Sequence, residues 1–184
     1  MWFWKAGQPF LDGTELWQHY LWTVGRGAGL MINLPPDRDG VISAGHAREA
    51  ARLGAAVAQL RAPPVARLTA VTLAECDGGS ASTVTLQLPP GAGPFNLVST
   101  REDLASGGQR IANYTLQLLS AGRWAPVAGR VHGGTVGRRV LDAVPEGEVA
   151  GAGRVEAVRF VCLRAVALPV RLRELGVHYV VPPT

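Results

Sequence analysis

Apolar and polar positions change period once along this chain, near Pro63-Pro64, and the two halves predict different architectures. Before that point the pattern is helical with short apolar runs. From Thr14 to Val24, Leu16, Trp17, Tyr20, Leu21 and Val24 recur at helical spacing, and Gly25 is placed to end the helix. Ser43 is a good N-cap for a second, alanine-rich helix running to about Arg61, with Ala47, Ala50, Leu53, Val57 and Leu60 on one face. Trp2-Phe3-Trp4 reads as a short aromatic strand. Leu30-Met31-Ile32, entered through Gly25, Gly27 and Gly29 and halted by Pro35-Pro36, reads as a buried strand of a parallel sheet. Asp37-Arg38-Asp39-Gly40 then makes a turn. A strand–helix–strand unit of this kind joins parallel neighbours by a right-handed crossover. A polar Asn33 near the end of the second strand, followed by a tight proline loop and a helix, is how a (β/α) barrel presents a strand to its active-site face.

Beyond Val65 short alternating runs follow one another between clusters of Gly, Pro, Ser and Asp. The predicted strands are 68–75, 83–88, 95–99, 110–119, 124–128, 138–143, 155–163 and 172–181. Regular spacing of this kind argues an antiparallel sandwich. The longest alternation, Ile111, Tyr114, Leu116 and Leu118, slips once in register, which predicts a bulge near Asn113. The fold class is therefore α/β followed by all-β, with residues 1–62 as an incomplete part of a (β/α) barrel and residues 65–184 as a β-sandwich. A whole barrel needs roughly 200 residues or more and does not fit beside a sandwich in 184. The chain is thus expected to start mid-domain.

Charge and cysteine content change this picture little. The net charge is +4, but Lys5 is the single lysine and the arginines are scattered, with no basic tract or interleaved aromatics, so a nucleic-acid partner is not expected. No signal peptide opens the chain and no apolar run is long enough to span a membrane, so no membrane partner is expected and localisation stays open. Cys76 and Cys162 belong to the predicted sandwich; they read as two buried free thiols, with a single disulfide as the alternative. Asn113-Tyr114-Thr115 is a glycosylation sequon, relevant only to a secreted protein.

The opening WFWKAGQ, the first helix and TVGRGAGLMINLPPDRDGVI (23–42) resemble the end of the catalytic barrel of α-L-fucosidases, retaining glycoside hydrolases. NLVSTREDLASGGQRIANYTLQLL (96–119), GRWAPVA (122–128), GTVGRRVL (134–141) and VEAVRFVCL (155–163) resemble that family's C-terminal sandwich, of the galactose-binding or discoidin-like type. The resemblance implies a parent enzyme that releases terminal α-L-fucose from fucosylated glycans, often secreted or lysosomal, with no cofactor. It also implies that the barrel domain and both catalytic carboxyl groups lie upstream, so that no catalytic residue is expected in this segment and the segment alone is inactive. The alternative is a non-catalytic carbohydrate- or protein-binding sandwich from a truncated relative.

By the same resemblance, Trp2 lines the sugar pocket, its indole packing on the apolar side of fucose near the methyl group. Many relatives carry His after the aromatic triplet, where this chain has Lys5. The acids present offer no retaining pair, which needs carboxyls about 5–5.5 Å apart: Asp37 and Asp39 sit in a turn, Asp12 in a loop, Glu15 and Glu49 on predicted helix surfaces. His19, His46, His132 and His178 are dispersed, with no metal-ligand spacing, so no metal is expected. Gly25-x-Gly27-x-Gly29 precedes a strand rather than a helix, which removes a phosphate-binding mechanism. Tyr114, Trp124, Arg138 and Arg139 are candidates for a loop-end sugar site, though packing and surface roles are favoured. The glycines of Gly107-Gly108-Gln109-Arg110 and Gly134-Thr135-Val136-Gly137 are expected to provide positive φ or close backbone approach, and Arg110 is expected to bond the carbonyls of a facing loop.

Overall fold

The computed structural model describes residues 3–127, 133–145 and 154–184. Helix α1 (Gly13–Trp22) starts at a capping box. The Asp12 carboxylate accepts from the Glu15 N–H at 2.8 Å, and Glu15 accepts from the Asp12 N–H at 3.0 Å. Leu16, Trp17 and Tyr20 form its buried stripe. The chain then tightens into a 3-10 turn, Val24–Arg26. Gly27, not Gly25, supplies the left-handed residue that ends it, with φ +84°. Gly25 is instead buried against Leu141, where a Cβ would come into van der Waals contact with that side chain at 3.4 Å. Helix α2 (Ala44–Gln59) is capped by Ser43 as expected, but it buries Leu53 and Ala56 together with Glu49, while Ala47 is exposed.

The eight predicted strands are all present: β1 (Ala66–Leu73), β2 (Thr83–Gln87), β3 (Leu97–Glu102), β4 (Ile111–Ser120), β5 (Arg123–Pro126), β6 (Val140–Ala143), β7 (Val155–Ala165) and β8 (Val170–His178). They form two four-stranded antiparallel sheets, ordered β1-β8-β3-β6 and β2-β7-β4-β5. The sheets stack through their inward positions: Val98, Val140, Val170, Leu172, Leu175 and Val177 on one, Val84, Leu116, Val158 and Phe160 on the other. The register of β4 against β7 shifts on both sides of Asn113, where the bulge was expected. Cys76, in the β1–β2 connection, is disulfide-bonded to Cys162 on β7, with Cα atoms 4.8 Å apart. The bridge ties one sheet to the other, and the free-thiol reading is corrected.

A second apolar cluster lies on the outer face of the β1-β8-β3-β6 sheet. Leu16, Trp17 and Tyr20 of α1 and Leu53 and Ala56 of α2 pack there on Leu97, Leu141 and Val180. The C-terminal tail stitches this layer together. Asn96 exchanges two hydrogen bonds with the Val180 backbone, Gln59 accepts from the Val181 N–H at 2.9 Å, and the Thr14 hydroxyl donates to the Pro183 carbonyl at 2.9 Å.

The parallel strands expected in residues 1–62 are not formed among the described residues. Residues 3–4 and 30–32 carry no ladder. A strand exists only through its neighbour's hydrogen bonds, and among the described residues no ladder runs along 30–32. The strand-like alternation nevertheless survives: Leu30, Ile32 and Leu34 turn partly inward, while Met31 is 86% exposed.

Candidate functional site

Three buried acids organise the interior, and each is held by donors from separate parts of the chain. Glu102, 3% exposed at the end of β3, accepts from the N–H groups of Arg110 at 2.8 Å, Ile111 at 2.9 Å and Gly137 at 2.7 Å. It thereby locks together both glycine turns singled out in the sequence. Gly108 at φ +71°, Gly134 at +85° and Gly137 at +58° are left-handed, whereas Gly107 ends the helical turn Leu104–Gly107 and is not. Arg110 does bond facing carbonyls, donating from Nε to Gly107 at 2.7 Å and from Nη1 to Pro169 at 2.8 Å. Its role is to hold the scaffold.

Asp142 of β6 lies between the sandwich and the 3-10 turn. Its Oδ2 accepts from the Tyr114 hydroxyl at 2.7 Å, and its Oδ1 pairs with Arg26 at 2.8 Å; Arg26 also donates to the Tyr114 oxygen at 3.2 Å. Tyr114 is fully buried and stacks on Phe160, with ring centroids 5.0 Å apart. Burial above all, and then the Asp142 charge, push its phenol pKa up. For Arg26 burial works against the charge, but Asp142 and Tyr114 outweigh it and hold the guanidinium pKa above its ordinary value.

Glu49 was read as a surface residue and is instead 3% exposed. It accepts from the Gly13 N–H at 3.0 Å and pairs with Arg48 and Arg52. The hydrogen bond from Arg48, with those from Arg52 and Gly13, keeps its pKa below the usual carboxylate range. The sequence hid this because Arg48 and Arg52 around Glu49 look like a solvated face. The start of α1 lies against it, and Gly13 supplies the backbone donor.

The remaining candidates are not brought together. Asp37 accepts from the N–H groups of Asp39 and Val41, both at 2.9 Å, and Gly40 at φ +78° closes that turn, as its turn-forming reading requires. Trp124 lies under the Arg159 guanidinium at 3.7 Å, and Arg139 donates to the Tyr20 hydroxyl at 3.2 Å. Arg138 is exposed, so the four loop-end candidates form no common site. His46 shares a 2.6 Å hydrogen bond with Ser43, and His19 stands edge-on to Trp22. His178 is buried, and burial lowers its pKa; Glu174 opposes that shift and Arg139 reinforces it. Among the described residues no group of acids, histidines or cysteines could hold a metal ion. Trp2, His132 and Ala128 lie outside the described residues.

The exposed large apolar side chains concentrate in the N-terminal part, with Phe3, Trp22, Met31, Val41 and Ile42 all open to solvent. Exposure on this scale marks a surface suited to burial against protein.

Fold and site together define a helix-buttressed antiparallel β-sandwich with an apolar segment displayed beside it. Solved structures similar to it are α-L-fucosidases. A Bacteroides thetaiotaomicron protein described as an α-L-fucosidase is 24% identical with a TM-score of 0.73, and the match covers 98% of this chain and 38% of that one. One from Bacteroides ovatus, described likewise, is 22% identical with a TM-score of 0.78, covering 100% and 29%. A Ruminococcus gnavus fucosidase of glycoside hydrolase family 29, solved with fucose, is 19% identical with a TM-score of 0.65, covering 98% and 39%. The chain therefore has the fold of part of these enzymes and spans well under half of their length. No family model and no curated protein matches it.

Proposed function

We propose that this chain is the C-terminal segment of an α-L-fucosidase-like glycoside hydrolase whose substrates are fucosylated glycans. In this reading residues 1–62 are the last strands and helices of the catalytic (β/α) barrel, and residues 65–184 are the buttressing sandwich, of galactose-binding or discoidin-like type. The observation that carries it is the asymmetry of the structural match: nearly all of this chain against 29–43% of the fucosidase chains. The strand-like alternation from Leu30 to Leu34 supports it, since partly inward Leu30 and Ile32 with outward Met31 suit insertion between two barrel strands. Trp2 would line the fucose pocket of the completed barrel.

The segment alone is expected to hydrolyse nothing. The described acids with hydrogen-bond partners hold turns, caps and buried donors, and the proposed nucleophile and acid/base belong to the upstream barrel. The test is release of nitrophenol from 4-nitrophenyl α-L-fucoside. The 184-residue chain should show none, and a protein extended by whatever is encoded before Met1 should show it. Turnover by the chain alone, or upstream sequence with no barrel, would overturn the reading; the second result would favour a non-catalytic binding module.

A further inference from the structure

Outside the buttressed half, the outer face of the β1-β8-β3-β6 sheet carries an open groove of about 710 Å³. Four arginines from three strands line it: Arg67 on β1, Arg101 on β3, and Arg171 and Arg173 on β8. The hydroxyl residues Thr69 and Thr72 lie between them. Two acids also contribute, but neither neutralises an arginine by contact. Asp103 holds the Ser106 hydroxyl and N–H, which with a smaller part from the Arg171 charge keep its pKa below the usual carboxylate range, and Glu174 forms no ion pair. Among the described residues none of the four guanidinium groups has an ion-pair or side-chain hydrogen-bond partner, and the Arg101 Nε is buried without an acceptor. A buried guanidinium N–H needs one.

We propose that this groove binds an anionic oligosaccharide through its sulfate or carboxylate groups. A guanidinium presents a planar fork of donors that matches such oxyanions two bonds at a time. Successive outward positions on one strand are about 6.7 Å apart and adjacent strands about 4.8 Å, so the arginines form an array suited to charges repeated along a chain rather than to one small ion. The threonine hydroxyls can serve sugar hydroxyls. No aromatic side chain lines the groove, which removes the stacking platform that single-stranded nucleic acids require. The charge of the groove stands without the glycosidase reading, and the choice of a glycan as the carrier of the anions rests on it.

The experiment is calorimetric titration of the 184-residue chain, at low salt, with a heparin-derived hexasaccharide, with sodium sulfate and with a single-stranded oligodeoxynucleotide of equal charge. The hexasaccharide should bind at one site, more tightly than either comparator. Arg101→Gln and Arg173→Gln should each weaken it about tenfold. Arg123→Gln, the same charge change on β5 of the other sheet, should leave it unaltered. Arg173 is exposed, so its variant keeps the test valid if Arg101→Gln fails to fold. Absence of saturable binding, an equal loss with Arg123→Gln, or oligonucleotide binding as tight as that of the hexasaccharide would each overturn the proposal. Fucoside hydrolysis is measured separately, so the two readings fail by different results.

Discussion

Replacing Glu102 should be among the most damaging single changes in the sandwich. Its carboxylate accepts three backbone N–H groups, two from the start of β4 and one from the turn before β6, all within 2.9 Å. Glu102→Ala removes every acceptor at once in a position that is 3% exposed. Each buried donor left unpaired costs about 1–3 kcal/mol. Water entering the space recovers part of this, so the total should be about 4 kcal/mol. Glu102→Gln keeps Oε1 for Arg110 and Ile111 but turns an N–H₂ group onto Gly137, so one contact of three is lost, at about 2 kcal/mol. With a urea m-value of about 2 kcal/mol/M, the unfolding midpoint should fall by about 2 M for the alanine and about 1 M for the glutamine. Tryptophan fluorescence can follow the transition. Glu156→Ala, at an exposed site on β7, is the control and should move the midpoint little. If Glu102→Ala unfolds within about 0.3 M of the parent, or if the glutamine is the worse variant, Glu102 does not act as the acceptor that joins the two turns.

Reduction of the Cys76–Cys162 bridge should lower the melting temperature by roughly 10 °C, because it frees a loop closed over 86 residues and the expected loss is about 2–4 kcal/mol. Calorimetry with and without a phosphine reductant measures it, and an unchanged melt would mean that the bridge constrains little. The depressed pKa of His178 gives the fold a pH dependence in the mildly acid range. Its folded value lies below the ordinary 6.5, so its contribution is intact above pH 6.5 and is lost as pH falls from there through the folded value. One proton is involved, so the slope cannot exceed about 1.4 kcal/mol per pH unit. Urea midpoints measured between pH 7.5 and 5.5 should decline in the parent and stay flatter in His178→Asn; parallel curves would assign the decline elsewhere.

The sandwich was legible in the sequence because strand alternation is local, and even the bulge at Asn113 shows as a one-residue slip between Ile111 and Tyr114. Glu102 had a legible signal that went unused. Val98, Thr100 and Glu102 share one parity on β3, and all three are buried, so an acid at an inward position foretells a buried hub. Glu49 had none, since what buries it is the start of α1, which sequence spacing does not place beside it. The arginine groove was hidden for a related reason. Arg67, Arg101, Arg171 and Arg173 are scattered in sequence, and only the order β1-β8-β3 makes them neighbours. The strand expected at Leu30–Ile32 has the composition of a strand and lacks its ladder. Pattern describes which side chains alternate, while pairing depends on what lies alongside.

The junction between the helical layer and the sandwich shows what the partly buried Arg26–Asp142–Tyr114 contact contributes. Asp142 is fully buried while the Arg26 side chain keeps 32% of its exposure, so the desolvation cost falls mainly on the carboxylate and the pair serves chiefly to fix geometry. Arg26 stands in the 3-10 turn, and its guanidinium reaches both the Asp142 carboxylate on β6 and the Tyr114 hydroxyl on β4, one strand from each sheet. Gly25 in the same turn is buried against Leu141. The turn is therefore pinned to the sandwich at two consecutive residues, immediately before the displayed segment from Leu30 to Leu34. On the proposed reading, a barrel strand pairing with that segment would be positioned relative to the sheets by the anchored turn at Arg26. The Pro63-Pro64 break in sequence pattern accordingly does not interrupt packing, since the cluster of Leu16, Trp17, Leu53, Leu97 and Leu141 takes side chains from both sides of it.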